Sequence, residues 1–130
     1  MTIAVLDASV GVKWFRSEPG AAEARELLAA HGRGDLDIAV ASVFVYELMA
    51  VASRTPNVDA TELWMHFIRW RIRVREIDSR LMLAALEVRR RSGCALYDAF
   101  APALAEELGA TLYSADRRAH GGWPGAVLLG

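Results

Sequence analysis

The sequence predicts an α/β fold in which a mainly parallel central sheet is covered by helices on both faces. Three observations predict it. The strand-like runs, IAVL at 3–6 and DIAV at 37–40 above all, are too apolar for a sheet with one wet face. They alternate with stretches of helical periodicity. The chain is 130 residues long and 54% hydrophobic, above the ~45–50% usual for globular domains, so it can fill two helix–sheet interfaces. This size fits one domain over residues 1–130.

Taken in order, Ile3 to Leu6 is a buried strand, and Ala8 to Phe15 reads as a short helix before the turn Glu18-Pro19-Gly20. Ala21, Ala24, Leu27 and Leu28 mark the apolar face of a helix that ends near Gly32 or Gly34. Asp37 to Val40 is the second strand. Ser42 suits the N-cap of a helix through Phe44, Glu47, Leu48 and Val51. Thr55-Pro56-Asn57 breaks that helix, and Asp59 or Thr61 caps the next, through Leu63, Trp64, Phe67 and Ile68. Ile72 to Ile77 reads as a short strand or extended edge. Asp78 or Ser79 caps a helix through Leu83, Leu86 and Val88, closed by Arg89-Arg90-Arg91 and Gly93. Asp98 to Leu108 is a further helix ended by Gly109, and Thr111–Ser114 and Ala126–Leu129 are the last strands.

Composition narrows the function classes. Fifteen basic and sixteen acidic residues leave a net charge of −1, so a nucleic-acid partner would need a local basic patch. All the basic residues except Lys13 are Arg, a bias that coding composition explains as well as phosphate binding does. Cys94 is the single cysteine, which suits a reducing compartment. No run approaches the ~18 apolar residues of a membrane span, and Asp7 sits where a signal peptide would be apolar. A cytoplasmic protein is expected.

Most of the acids stand among other charges and need no function. Four do not: Asp7 ends the first strand, Glu47 lies inside VFVYELMAV, Asp98 lies in ALYDAFA, and Asp116 lies in TLYSAD. Each has a bland reading. Asp7 could be an N-cap worth ~1 kcal/mol, Asp98 a first-turn acid facing a helix dipole, and Asp116 a turn residue. Glu47 resists one, because a buried unpaired carboxylate costs several kcal/mol. In a parallel sheet, strand ends and the starts of the following helices share one rim, so the four carboxylates can converge. Like charges there raise one another's pKa values unless a cation intervenes. No Lys or His is near in sequence, and a hard divalent ion held by oxygens, Mg²⁺ or Mn²⁺, is the economical answer.

Other constellations are weak. His31, His66 and His120 form no zinc-ligand spacing. There is no GxSxG, Walker A or GxGxxG pattern. A phosphoaspartyl enzyme built on Asp7 would want an acid at position 9, which is Ser, and a Lys within reach, which Lys13 is not expected to be.

LDAS at 6–9, YEL at 46–48 and LYDAFAPALAEELGATLYSAD at 96–116 resemble the PIN-domain family, specifically VapC-type toxins of toxin–antitoxin modules. The resemblance runs from Ile3 to Leu129, and 97–116 is its most specific part. It implies an endoribonuclease in which Asp7, Glu47, Asp98 and Asp116 bind Mg²⁺ or Mn²⁺. Water activated by the metal then hydrolyses RNA, leaving 5′-phosphate and 3′-hydroxyl ends. Ser9 and Ser114 match the small hydroxyl residues flanking the first and last acids. Pro102 departs from the pattern, since its ring opposes the carbonyl of Asp98 and could tilt that ligand.

RNA binding needs positive charge. Arg69, Arg71, Arg73 and Arg75 would share a face if extended, although a solvated edge explains them too; Arg117 and Arg118 directly follow Asp116 and could contact phosphates. The resemblance further implies a homodimer and a VapB-type antitoxin whose helix occupies a hydrophobic groove, for which the helices at 43–53 and 59–70 are the candidates. LWMHFIRW at 63–70 and a mean hydropathy of +0.20 fit an interface as well as a core. Two other readings stay open: a degenerate PIN binding module without chemistry, and a metal-dependent phosphatase acting on small phosphoesters.

Overall fold

The computed structural model describes residues 2–130. Five strands, β1 (Ile3–Leu6), β2 (Asp37–Ala41), β3 (Arg73–Arg75), β4 (Thr111–Ser114) and β5 (Val127–Leu128), form one sheet in the order β3-β2-β1-β4-β5. Every pairing is parallel. The chain builds outward on one side of β1, then crosses to the other side at β4. The gap beyond the carboxyl ends of β1 and β4 is therefore the switch point at which such sheets open a crevice.

Seven helices cover the sheet: α1 (Ala8–Gly11), α2 (Ala21–Arg33), α3 (Ser42–Ser53), α4 (Ala60–Trp70), α5 (Ser79–Ser92), α6 (Phe100–Leu108) and α7 (Arg117–His120). Alternation along the strands divides the core in two. Ala4, Leu6, Ile38 and Val40 face α1 to α4, where Phe44, Leu48 and Phe67 are buried. Val5, Ala39, Ala41 and Leu112 face α5 and α6, against Leu81, Val88 and Leu104. Both faces are thus dry, as the unbroken apolar runs require. The clusters bury Leu63, Phe67 and Val88 of the predicted helical stripes, whereas Trp64, Ile68, Leu83 and Leu86 of those stripes are exposed.

Local chemistry places most boundaries. Asp59 and Asp78 cap α4 and α5 by accepting from the amides of Glu62 at 3.1 Å and Leu81 at 3.0 Å. Gly34, Gly93 and Gly109 close α2, α5 and α6 in the left-handed conformation. Gly11 permits a close approach: a Cβ there would lie 2.6 Å from Phe44 Cζ and 3.0 Å from Leu48 Cδ1. That contact seats α3, the helix of Glu47, directly on α1.

Three further expectations need correction. Ala41, with no side-chain bond, occupies the cap position of α3, and Ser42 is its first helical residue. Asp98 ends a 3-10 turn, Leu96–Asp98, and does not open α6, which starts at Phe100. Pro102 therefore lies in the first turn of α6, where a missing N–H is tolerated. The arginines at 69–75 form no single stripe: Arg69 belongs to α4 and Arg71 has a φ of 55°. Arg73 and Arg75 are paired, with Asp37 at 3.3 Å and with Glu107 at 2.8 Å. No helix among the described residues is long and apolar enough to cross a membrane.

Candidate metal centre

The four acids lie along the rim that the sheet topology opens, Asp7 with Glu47 lining one cavity and Asp98 with Asp116 another. Asp7 follows β1 and caps α1. Its Oδ2 accepts from the Ser9 amide at 3.1 Å and from the Ser9 hydroxyl at 2.6 Å. The bland reading and the functional one are therefore compatible, because the cap uses one carboxylate oxygen. Asp116 lies two residues beyond β4 and caps α7, accepting from Ala119 N at 3.0 Å through Oδ1. Glu47 reaches the same rim from α3, where a small cavity is lined by Asp7, Glu47, Phe44 and Tyr97. Asp98 comes from the 3-10 turn, and it lines a cavity of about 270 Å³ with Asp116, Arg118 and Cys94.

The four acids act on one another electrostatically. Partial burial, and then the charges of Asp7, Asp98 and Asp116, push the Glu47 carboxyl from 4.5 up to about 7. Asp98 is raised by burial and then by Asp116 and Asp7, with a small opposing effect from His120. The Tyr97 hydroxyl is raised by burial and by the charge of Glu47. Among the described residues, none of the four acids forms an ion pair. Nor do three of them stand close enough together to form a closed metal cluster.

The serines at 9 and 114 tie the rim together. Ser9 Oγ accepts from Ala115 N at 2.9 Å while donating to Asp7, and it lies 3.5 Å from Ser114 Oγ. Ser114 Oγ accepts from Asp116 N at 3.1 Å. The arginines after Asp116 diverge. Arg117 lines a cavity of about 550 Å³ with Ser9, Lys13 and Asp116, whereas Arg118 lines the one shared with Asp98. Lys13 is buried, and its Nζ donates to Glu18 at 3.2 Å and to the Pro19 carbonyl at 2.6 Å.

Sequence reasoning missed two residues here. Tyr97 stands beside Glu47, signalled only by its adjacency to Asp98. His120 is buried and bonded at both ring nitrogens, to Ser114 and to the Asp98 carbonyl. No histidine is expected near the acids in sequence, and His120 reaches the backbone of Asp98 but none of the four carboxylates. Its spacing, four residues after Asp116, was the available signal. His31 bonds Trp70 and Ile38 instead, and His66 faces Glu62.

An all-parallel α/β domain with an acidic rim at its switch point defines a class of protein. The chain belongs to the PIN-domain family, whose model matches residues 4–120. Solved structures share the fold at low identity. A toxin–antitoxin complex from Klebsiella pneumoniae matches with a TM-score of 0.74 and 19% identity, over 95% of each chain. The sarcin–ricin-loop-cleaving toxin VapC20 of Mycobacterium tuberculosis matches at 0.71 and 17%, over 92% of this chain and 95% of that one. VapBC2 from Rickettsia felis, bound to a promoter DNA fragment, matches at 0.69 and 18%, over 98% and 97%. No curated protein sequence matches.

Proposed function

We propose that residues 1–130 form one nuclease domain, a metal-dependent endoribonuclease that is the toxin of a toxin–antitoxin pair. The observation that carries this reading is the unpaired acidic rim, with Glu47 pushed up to about 7 by burial and three neighbouring acids. The donors are all carboxylate oxygens, the set that hard divalent ions select. Asp7, Glu47, Asp98 and Asp116 would hold Mg²⁺ or Mn²⁺, which supplies positive charge at the scissile phosphate and makes water easier to deprotonate.

The chain's own residues then position and hold. Ser9 fixes the Asp7 carboxylate through its hydroxyl, and Ser114 fixes the turn that carries Asp116. Arg117 and Arg118 are exposed, and no ion pair among the described residues occupies them. Lining cavities that both include Asp116, they would bind RNA phosphates to either side of it. The phosphoaspartyl reading loses support, because Lys13 is engaged by Glu18 and Pro19.

The second partner is a VapB-type antitoxin. On α3 and α4, Tyr46, Trp64, Met65 and Ile68 are exposed, Ile68 by 52%, although Leu63 and Phe67 of the same run belong to the core. The exposed set suits the apolar face of a partner helix, and a homodimer of the toxin would complete the assembly. A cytoplasmic location follows from an RNA substrate.

The test is direct. Purified protein should cleave single-stranded RNA with Mg²⁺ or Mn²⁺ and stop in EDTA. Asp7→Asn and Asp98→Asn should fold normally and lose at least about 100-fold in rate. Cleavage by both variants at the wild-type rate would overturn the proposal.

A further inference from the structure

His120 is a polar ring at 1% exposure with both nitrogens engaged. Its Nε2 lies 2.7 Å from the Asp98 carbonyl oxygen and its Nδ1 lies 2.7 Å from Ser114 Oγ. A carbonyl only accepts, so Nε2 carries a proton. In the neutral ring Nδ1 then accepts from the Ser114 hydroxyl, whose oxygen accepts in turn from Asp116 N at 3.1 Å. Each proton in this chain has one place to go.

Pro102 explains why the Asp98 carbonyl needs such a partner. Pro102, four positions on in the first turn of α6, has no amide to offer it. The next amide along, Ala103 N, bonds the carbonyl of Ala99 at 3.0 Å. His120 fills the vacancy from α7, whose start is capped by Asp116.

We infer that His120 is a positioning residue that replaces the missing Pro102 amide at the Asp98 carbonyl and so sets Asp98 against Asp116. Its consequence for metal binding rests on the reading under Proposed function. A ring that merely fills volume would serve stability alone. The geometry argues otherwise, because both of its bonds end on residues of the acidic rim or on a serine that holds one.

The side-chain amides of Gln and Asn separate the two bonds. In His120→Gln the amide nitrogen reaches the place of Nε2 and can still donate to Asp98. In His120→Asn it reaches only the place of Nδ1. Mn²⁺ affinity, measured by calorimetry on folded protein, should fall about 10–100-fold in His120→Asn and stay close to wild type in His120→Gln. Adding Pro102→Ala to His120→Asn should restore affinity, since residue 102 then donates to the same carbonyl. The ¹⁵N shifts of the His120 ring in the wild type should report the Nε2–H tautomer.

Folded His120→Asn binding Mn²⁺ as wild type does, or His120→Gln weakened as much as His120→Asn, overturns the inference. An Nδ1–H tautomer overturns it too. Wild-type protein that binds no Mn²⁺ overturns the metal reading instead. The tautomer then decides the positioning inference alone, as it does if every His120 variant unfolds.

Discussion

The hydroxyls of Ser9 and Ser114 stand 3.5 Å apart although 105 residues separate them in the chain. Each follows or ends one of the two strands at the switch point, and each is bonded to one side of the acidic rim. Ser9→Ala removes the 2.6 Å bond to Asp7 and leaves Ala115 N without its acceptor. We expect a loss of about 1–2 kcal/mol in stability and of roughly 10-fold or more in Mn²⁺ affinity. Thermal melts and calorimetry check both; unchanged affinity would remove Ser9 from the site.

Glu47 makes stability depend on pH. Its folded carboxyl titrates at about 7, against 4.5 ordinarily. Below 4.5 both folded and unfolded chains hold the proton, so there is no difference. Between 4.5 and 7 the unfolded chain gives it up first, and stability falls as pH rises. The full shift would be worth ~3 kcal/mol, and half-exposure to water reduces the expectation to ~1–2 kcal/mol. Melting temperature should therefore drop across that window in the wild type and stay flatter in Glu47→Gln. Millimolar Mg²⁺ at pH 7 should recover the loss. Parallel curves for the two proteins would count against the strained carboxylate.

Arg117 and Arg118 should act separately. Each alanine variant should lower the slope of log K against log salt for single-stranded RNA by about 0.7, and the double variant by about twice that. Arg73→Ala and Arg75→Ala, whose side chains are paired with Asp37 and Glu107, should leave the slope unchanged. Filter binding across a salt series decides it, and an unaltered slope in the double variant excludes phosphate contact.

Gly11→Ala probes how Glu47 is seated. The added methyl would meet Phe44 Cζ at 2.6 Å and Leu48 Cδ1 at 3.0 Å, so the packing of these α3 side chains on α1 must shift. Overpacking of this kind costs about 1–3 kcal/mol. The pH dependence assigned to Glu47 should weaken with it, because the carboxylate retreats from its three neighbours. A melt indistinguishable from wild type at every pH would show that α3 does not depend on that contact.

Ile68→Glu and Trp64→Glu place charge on the exposed apolar face of α4, where the wild-type residues are 52% and 38% exposed. Antitoxin affinity should fall at least about 10-fold while RNA cleavage by the free toxin is unchanged, because apolar anchors concentrate binding energy. Full affinity in both variants would move the partner surface elsewhere.

The sequence by itself determined the elements and the identity of the unusual acids. IAVL and DIAVA are strands because both their faces are apolar, and Asp59, Asp78 and the closing glycines mark helix ends through contacts only a few residues long. Glu47 stood out because no neighbour in the chain could satisfy it. Tertiary structure alone decided how the acids meet. The order β3-β2-β1-β4-β5 brings the ends of β1 and β4 together, and only that adjacency couples Asp7 to Asp116. Asp98 could be read as a helix start from ALYDAFA, but it ends a 3-10 turn, and its carbonyl is satisfied by His120 from 22 residues away. Local propensity and capping are short-range effects, which a sequence displays directly. The partner of a buried carbonyl, or the charge beside a carboxylate, depends on which distant segments the sheet places side by side.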